Sequence, residues 1–201
     1  MFEAGYRYFH LRNSLTYTSI LFGLCGVYIA ILTQSWYLTA IFLAASVIAD
    51  VFDGQFANLF TCSETHQKLG AQLDSMADII VFGVLPVVCI LALSSKAESS
   101  ASYIILFISS LIYLSCAATR LSLFNIMNAK TVFIGLPTTI AGLVLATLFL
   151  FKPSIATCMI VLAVLSVLMV SPIKFKKPSR MGYFILVCWP ILVVVIAVYS
   201  M

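Results

Sequence analysis

Asp50, Asp53, Asp74 and Asp78, four of the chain's seven carboxylates, fall within 29 residues and in apolar surroundings. They form the patterns D-x-x-D-G-x-x-A, from Asp50 to Ala57, and G-x-x-x-D-x-x-x-D, from Gly70 to Asp78. An aspartate near the middle of a membrane helix costs about 2.5–3.5 kcal/mol on insertion scales. Four together repel one another unless something positive lies between them. Residues three or four apart share a helix face. Asp50, Asp53 and Gly54 therefore line up, with Ala57 one turn further on, and Gly70, Asp74 and Asp78 make a second stripe. The polar connection over residues 60–69 is short enough to make the two helices antiparallel neighbours, with both stripes at one depth. Oxygen-only ligation suits Mg2+, Mn2+ or Ca2+. Four carboxylates can hold two such ions, which would bridge and neutralise a diphosphate. Gly54 and Ala57 leave the backbone open to a phosphate or nucleotide, although small residues also serve close helix packing.

The elements that must position these groups are membrane helices. Hydrophobic residues make up 63% of the 201 residues, charged ones 9%, and the mean hydropathy is +1.13; soluble domains carry about 25% charged residues. Seven apolar runs can cross a bilayer as helices, at 15–33, 36–59, 68–95, 102–128, 132–151, 154–171 and 182–200. Gly135 and Pro137 interrupt the start of the fifth. Residues 1–14, with Phe2, Tyr6 and Phe9 against Arg7, His10 and Arg12, fit an interfacial amphipathic helix and lack the apolar core of a signal peptide. The expected organisation is thus one polytopic all-α domain over 1–201. Basic residues gather on one side (Arg7, Arg12, Lys68, Lys130, Lys174, Lys176, Lys177, Arg180), with only Lys96 and Lys152 opposite. By the positive-inside rule the N-terminus, the 60–68 loop and the 172–180 loop are cytoplasmic. The net charge of +4 then reads as orientation and contact with anionic lipid headgroups, not nucleic acid. Six cysteines are scattered with no C-x-x-C pair, which points to neither a disulfide framework nor a zinc site.

The two aspartate stripes resemble the signature of the CDP-alcohol phosphatidyltransferase family, D-x-x-D-G-x-x-A-R followed by G-x-x-x-D-x-x-x-D. Within that family the runs LDSMADIIVFGVLP (73–86), RLSLFN (120–125), GLPTTIAG (135–142) and SPIKFKK (171–177) look closest to the phosphatidylserine synthases. The resemblance spans about residues 47–178. It implies a six-helix catalytic core, placed here at 15–171, with 182–200 as an additional transmembrane helix. It also implies two divalent cations, Mg2+ or Mn2+, held by the four aspartates, and a CDP-linked lipid bound over Asp53, Gly54, Ala57, residue 58 and Gly70. Asp78 would be the general base. CDP-diacylglycerol and L-serine would be the substrates, phosphatidylserine and CMP the products. The setting would be the cell (inner) membrane with the site facing the cytoplasm, and a homodimer is a family expectation. One position departs from the signature: Asn58 stands where it has Arg, and Asn cannot bind a phosphate bidentately.

Outside the signature, Arg120 sits in an apolar run and must find a partner or line a wet cavity. A phosphate or the serine carboxylate would suit it, as would a structural ion pair. Ser75 and Asn125 are candidates for the acceptor pocket, with local helix hydrogen bonds as the plain alternative. Lys174 is a further candidate for holding substrate, against simple headgroup attraction. Another acceptor (glycerol phosphate, inositol phosphate or choline), a catalytically silent metal- or lipid-binding protein, and an ion carrier remain as rival functions. Transport sites, however, use one or two carboxylates near the midplane of repeated halves. Here four lie together and no repeat is seen.

Overall fold

A computed structural model describes residues 11–94, 100–127, 132–176 and 180–201. A 3-10 turn, Leu11–Asn13, leads into α1 (Ser14–Thr33). Gln34 in the left-handed region (φ 53°) stops that helix, and Ser35 caps the next by accepting from the Leu38 N–H. Two residues thus join α1 to α2 (Trp36–Ala57) as an antiparallel hairpin. The pair closes on small side chains. Ser19 Oγ donates to the Ser46 carbonyl at 3.0 Å, and a Cβ on Gly26 would stand 3.3 Å from that of Phe42. Such close approach is how helices associate in lipid, where apolar contact alone gives little preference.

Ser63 caps α3 (Glu64–Ser94), which carries the second acidic stripe. Immediately after Asp78 the helix widens into a π segment, Ile79–Val84. Pro86 supplies the reason: lacking an N–H, it cannot donate to the Phe82 carbonyl one turn back. That carbonyl instead accepts the hydroxyl of fully buried Tyr113, at 2.7 Å, from α4 (Ser100–Met127). The widened turn sits directly below the acidic stripe and fixes it against α4.

The apolar run expected to span at 132–151 does not form one helix. Val132–Ile134 is a short strand, β1, paired antiparallel with β2 (Lys174–Lys176) in the register Ile134↔Lys174. Gly135 takes φ +75° hard against the Met169 carbonyl, where a Cβ would collide, and α5 begins only after Pro137, over Thr138–Phe149. Its 12 residues cover about 18 Å against a hydrocarbon core of about 30 Å. Next come α6 (Ile155–Val170), with Ser154 as its cap, and α7 (Arg180–Tyr199). Among the described residues five helices are long and apolar enough to cross a membrane, and α5 and α6 are shorter apolar helices. The protein is an all-α integral membrane protein. Of the expected interfacial segment, residues 1–10 lie outside the described residues, as do Lys96, Lys130 and Lys177.

Helix α2 is central, packed along α1 on one side and against α5 and α7 on the other, while α4 packs on α6. Phe82, Ile90, Leu145, Phe149 and Leu162 fill the space between them without exposure to solvent. The C-terminal end of α2, the N-terminal half of α3 and the N-terminal turns of α5 and α7 meet at one end of the bundle.

Candidate active site

A cavity of about 520 Å3 opens at that end, lined by Asp50 and Gly54 of α2, Asp74, Ser75 and Asp78 of α3, Arg120 of α4 and Thr138 and Thr139 of α5. Carboxylate oxygens of Asp50, Asp74 and Asp78 lie within 4.8 Å of one another. Asp53 stands one turn along α2, buried, with Asp74 as a neighbour across the helix pair. Asp50 and Asp78 face each other within that cluster. Carboxylates crowded in this way need a cation or a proton between them. Asp78 Oδ1 is buried with no hydrogen-bond partner among the described residues, so its lone pairs remain for a ligand inside the cavity. An all-oxygen cluster with an unsatisfied buried oxygen fits hard divalent cations.

Three threonines orient these carboxylates from neighbouring helices. Thr139 Oγ1 donates to Asp50 Oδ2 at 2.9 Å, and Thr138 Oγ1 to Asp78 Oδ2 at 3.2 Å. Thr16 of α1 donates to Asp53. Reasoning from sequence missed all three. Thr138 and Thr139 directly follow the α5 N-cap Pro137 within the run GLPTTIAG, whereas Thr16 lies in the first turn of α1 outside any such run.

The basic partners also differ from those nearest in sequence. Lys68 bridges Glu64 at 2.7 Å on an exposed face, and His66 Nδ1 meets Ser63 Oγ. Arg12 and Arg120 take that place electrostatically, Arg12 beside Asp53 and Arg120 beside Asp78. Arg120 is buried, with its guanidinium 5.3 Å from the Phe124 ring centroid.

The remaining candidates divide. Gly54 lies on the open side of the cavity, where an added Cβ would meet nothing within 4 Å. The single Ser75 hydroxyl proton has two acceptors within reach, the Ala71 carbonyl at 3.1 Å and Asn125 Oδ1 at 3.2 Å, which places Asn125 at the cavity edge. Ala57 is buried in the helix interface, and Asn58 is the exposed residue capping α2. Gly70 packs against the turn before α1, where a Cβ would stand 3.2 Å from Asn13 Oδ1. Lys174 is exposed on β2 and does not line the cavity.

The model of the CDP-alcohol phosphatidyltransferase family matches residues 9–172, which contain all of this constellation except the wall from α7. The chain belongs to the CDP-alcohol phosphatidyltransferase family. A CDP-diacylglycerol–serine O-phosphatidyltransferase of Bacillus subtilis is 35% identical over 169 residues, 80% of this chain and 86% of that protein. One from Methanocaldococcus jannaschii is 33% identical over 181 residues, 88% of this chain and 82% of the relative. An archaetidylserine synthase of Methanothermobacter thermautotrophicus is 31% identical over 175 residues, covering 86% and 69%. In this phosphatidyltransferase the cavity is completed by Gly182, Tyr183, Ile185 and Leu186 of α7, beyond the matched stretch.

Proposed function

We propose that this protein transfers the phosphatidyl group of CDP-diacylglycerol to L-serine, giving phosphatidylserine and CMP. The observation that carries this is the convergence of three carboxylates within 4.8 Å beside buried Arg120 in one cavity. The names of the relatives above supply the acceptor. Asp50, Asp74 and Asp78, with Asp53 bridging toward Asp74, would hold two divalent cations, Mg2+ or Mn2+, whose role is to neutralise the diphosphate and the departing CMP.

Asp78 takes the serine hydroxyl proton on its carboxylate, through the oxygen left without a partner. The serine oxygen forms a bond to the phosphorus bearing the diacylglycerol. The bond from that phosphorus to the bridging oxygen breaks, and CMP leaves with the electron pair. Arg120 pairs with the serine carboxylate, while Ser75 and Asn125 offer hydroxyl and amide groups at the cavity edge. The open face at Gly54 admits the CDP diphosphate next to the helix backbone. The aspartate end of the bundle faces the cytoplasm of the cell (inner) membrane, where serine and CMP are soluble and the lipid tails stay in the bilayer. Positive-inside charge supports this orientation.

The test is CMP release by purified protein with CDP-diacylglycerol, Mn2+ or Mg2+, and each candidate alcohol. Serine-dependent CMP is expected. Release only with glycerol phosphate, inositol phosphate or choline would overturn the acceptor, and none with any alcohol would overturn the transferase.

Partners that orient metal-binding groups are commonly worth 10–100-fold in affinity or activity. Thr139→Val should therefore lower serine-dependent turnover by roughly tenfold, with half-saturation displaced to higher Mn2+. Thr139→Ser should restore both. A wild-type metal titration in the valine variant would remove Thr139 from this role.

A further inference from the structure

Asp78 and Phe82 lie one turn apart on α3, and Thr138 and Gly142 lie one turn apart on α5, so each pair shares a helix face. The two faces meet as two rungs. In the first, Thr138 Oγ1 donates to Asp78 Oδ2 at 3.2 Å. In the second, the Phe82 ring lies on the bare backbone of Gly142. A Cβ there would stand 2.3 Å from Phe82 Cδ1 and 3.0 Å from Cγ and Cε1. Carbon atoms in contact keep about 3.5–4.0 Å, so one added methyl would force ring and helix apart by about 1 Å or more. The ring cannot simply turn aside. Phe82 and Tyr113 are fully buried, and the Tyr113 hydroxyl holds the Phe82 carbonyl at 2.7 Å, inside the π segment that follows Asp78. Close-packed interiors transmit such strain to their neighbours.

We infer that Gly142 and Phe82 are positioning residues for Asp78. The seat of the ring on the glycine sets the spacing of α3 and α5 at which the Thr138 hydroxyl reaches the carboxylate, and Tyr113 keeps the ring in that seat. With Oδ2 held, the carboxylate keeps one orientation, in which Oδ1 has no hydrogen-bond partner among the described residues. A small displacement matters here, because misplacing a reacting group by about 1 Å can cost about a hundredfold. The catalytic consequence rests on the base assigned to Asp78 above, whereas the coupling of the two rungs does not.

A double-mutant cycle reads that coupling without any reaction. In EDTA and detergent, Thr138→Val should lower the melting midpoint by about 2–4 °C, as one lost hydrogen bond does in a chain of this size. In a Gly142→Ala background, where α5 already stands off, the same substitution should lower it by about half of that or less. Equal shifts in the two backgrounds would mean independent sites and would overturn the inference. Should Gly142→Ala fail to fold, Tyr113→Phe takes its place in the cycle, since it frees the Phe82 carbonyl by removing one hydroxyl. Turnover gives a second reading. Gly142→Ala should lower serine-dependent CMP release by about 10–100-fold, the range for groups that orient a site. Adding Phe82→Leu, whose methyl groups can turn away from the new side chain, should recover most of that loss. A wild-type rate in Gly142→Ala, or no recovery with leucine, would overturn the inference. Coupled midpoints in a protein that releases no CMP with any alcohol would leave the rungs standing and remove the proposed reaction, so the two failures are told apart.

Discussion

Asp78→Asn should lower serine-dependent CMP release by about a thousandfold or more, within and toward the upper part of the range for a lost general base. The substitution keeps the shape of the side chain and leaves an oxygen to accept the Thr138 hydroxyl, now 3.2 Å away. What it removes is the capacity to take a proton, together with one negative charge in a cluster where Asp50, Asp74 and Asp78 lie within 4.8 Å. Asp78→Glu separates these effects: the charge stays, but the carboxylate is carried one methylene further from Thr138. Partial recovery in the glutamate variant and none in the asparagine variant would fit proton transfer at a fixed position. Retention of more than about a tenth of wild-type turnover by Asp78→Asn would place the base elsewhere, since a proton-transfer role is worth at least about a hundredfold.

The acidic stripes were legible because their signal is local. Spacings of three and four residues put Asp50 with Asp53, and Asp74 with Asp78, on single faces whatever the helices pack against. Groups supplied by other helices have no such signature. The hydroxyl on Asp50 comes from 89 residues away and that on Asp53 from 37. Proximity in sequence was a poor guide to the basic partners. Lys68 lies near the aspartates along the chain, yet helical spacing sets it over Glu64 on the outer face. Hydropathy likewise marked 132–151 as a span, since an apolar sum cannot register the left-handed turn at Gly135 and the strand pairing before it. Pro86 was visible as a place where a backbone donor is missing. That Tyr113 would take up the freed Phe82 carbonyl, and so permit a π turn under Asp78, depended on how α3 and α4 meet. The final apolar run was legible as a helix, but nothing within it marks a wall of the cavity.

The same crowding of carboxylates gives a second large effect, in stability. Like charges within 4.8 Å of one another repel by about 3 kcal/mol or more at an effective dielectric of about 20. That is a sizeable fraction of the stability of an ordinary domain, which is about 5–15 kcal/mol. A ligand that binds only the folded protein stabilises it further, by about 2.7 kcal/mol at a hundred times its dissociation constant. Protein treated with EDTA in detergent should therefore be inactive, and adding Mn2+ should restore turnover and raise the melting midpoint by about 5 °C or more. Asp50→Asn relieves repulsion with Asp74 and Asp78 while keeping an oxygen to accept from Thr139. In EDTA this variant should melt above the wild type, yet gain little on addition of Mn2+ and make no CMP. A loss of function that stabilises the metal-free fold is the mark of groups held in place for binding at a cost to the fold. If Mn2+ left the wild-type midpoint unmoved, or shifted Asp50→Asn as far as the wild type, the carboxylate cluster would not be the metal site. The four aspartates would then have to be explained as a proton-sharing structural network.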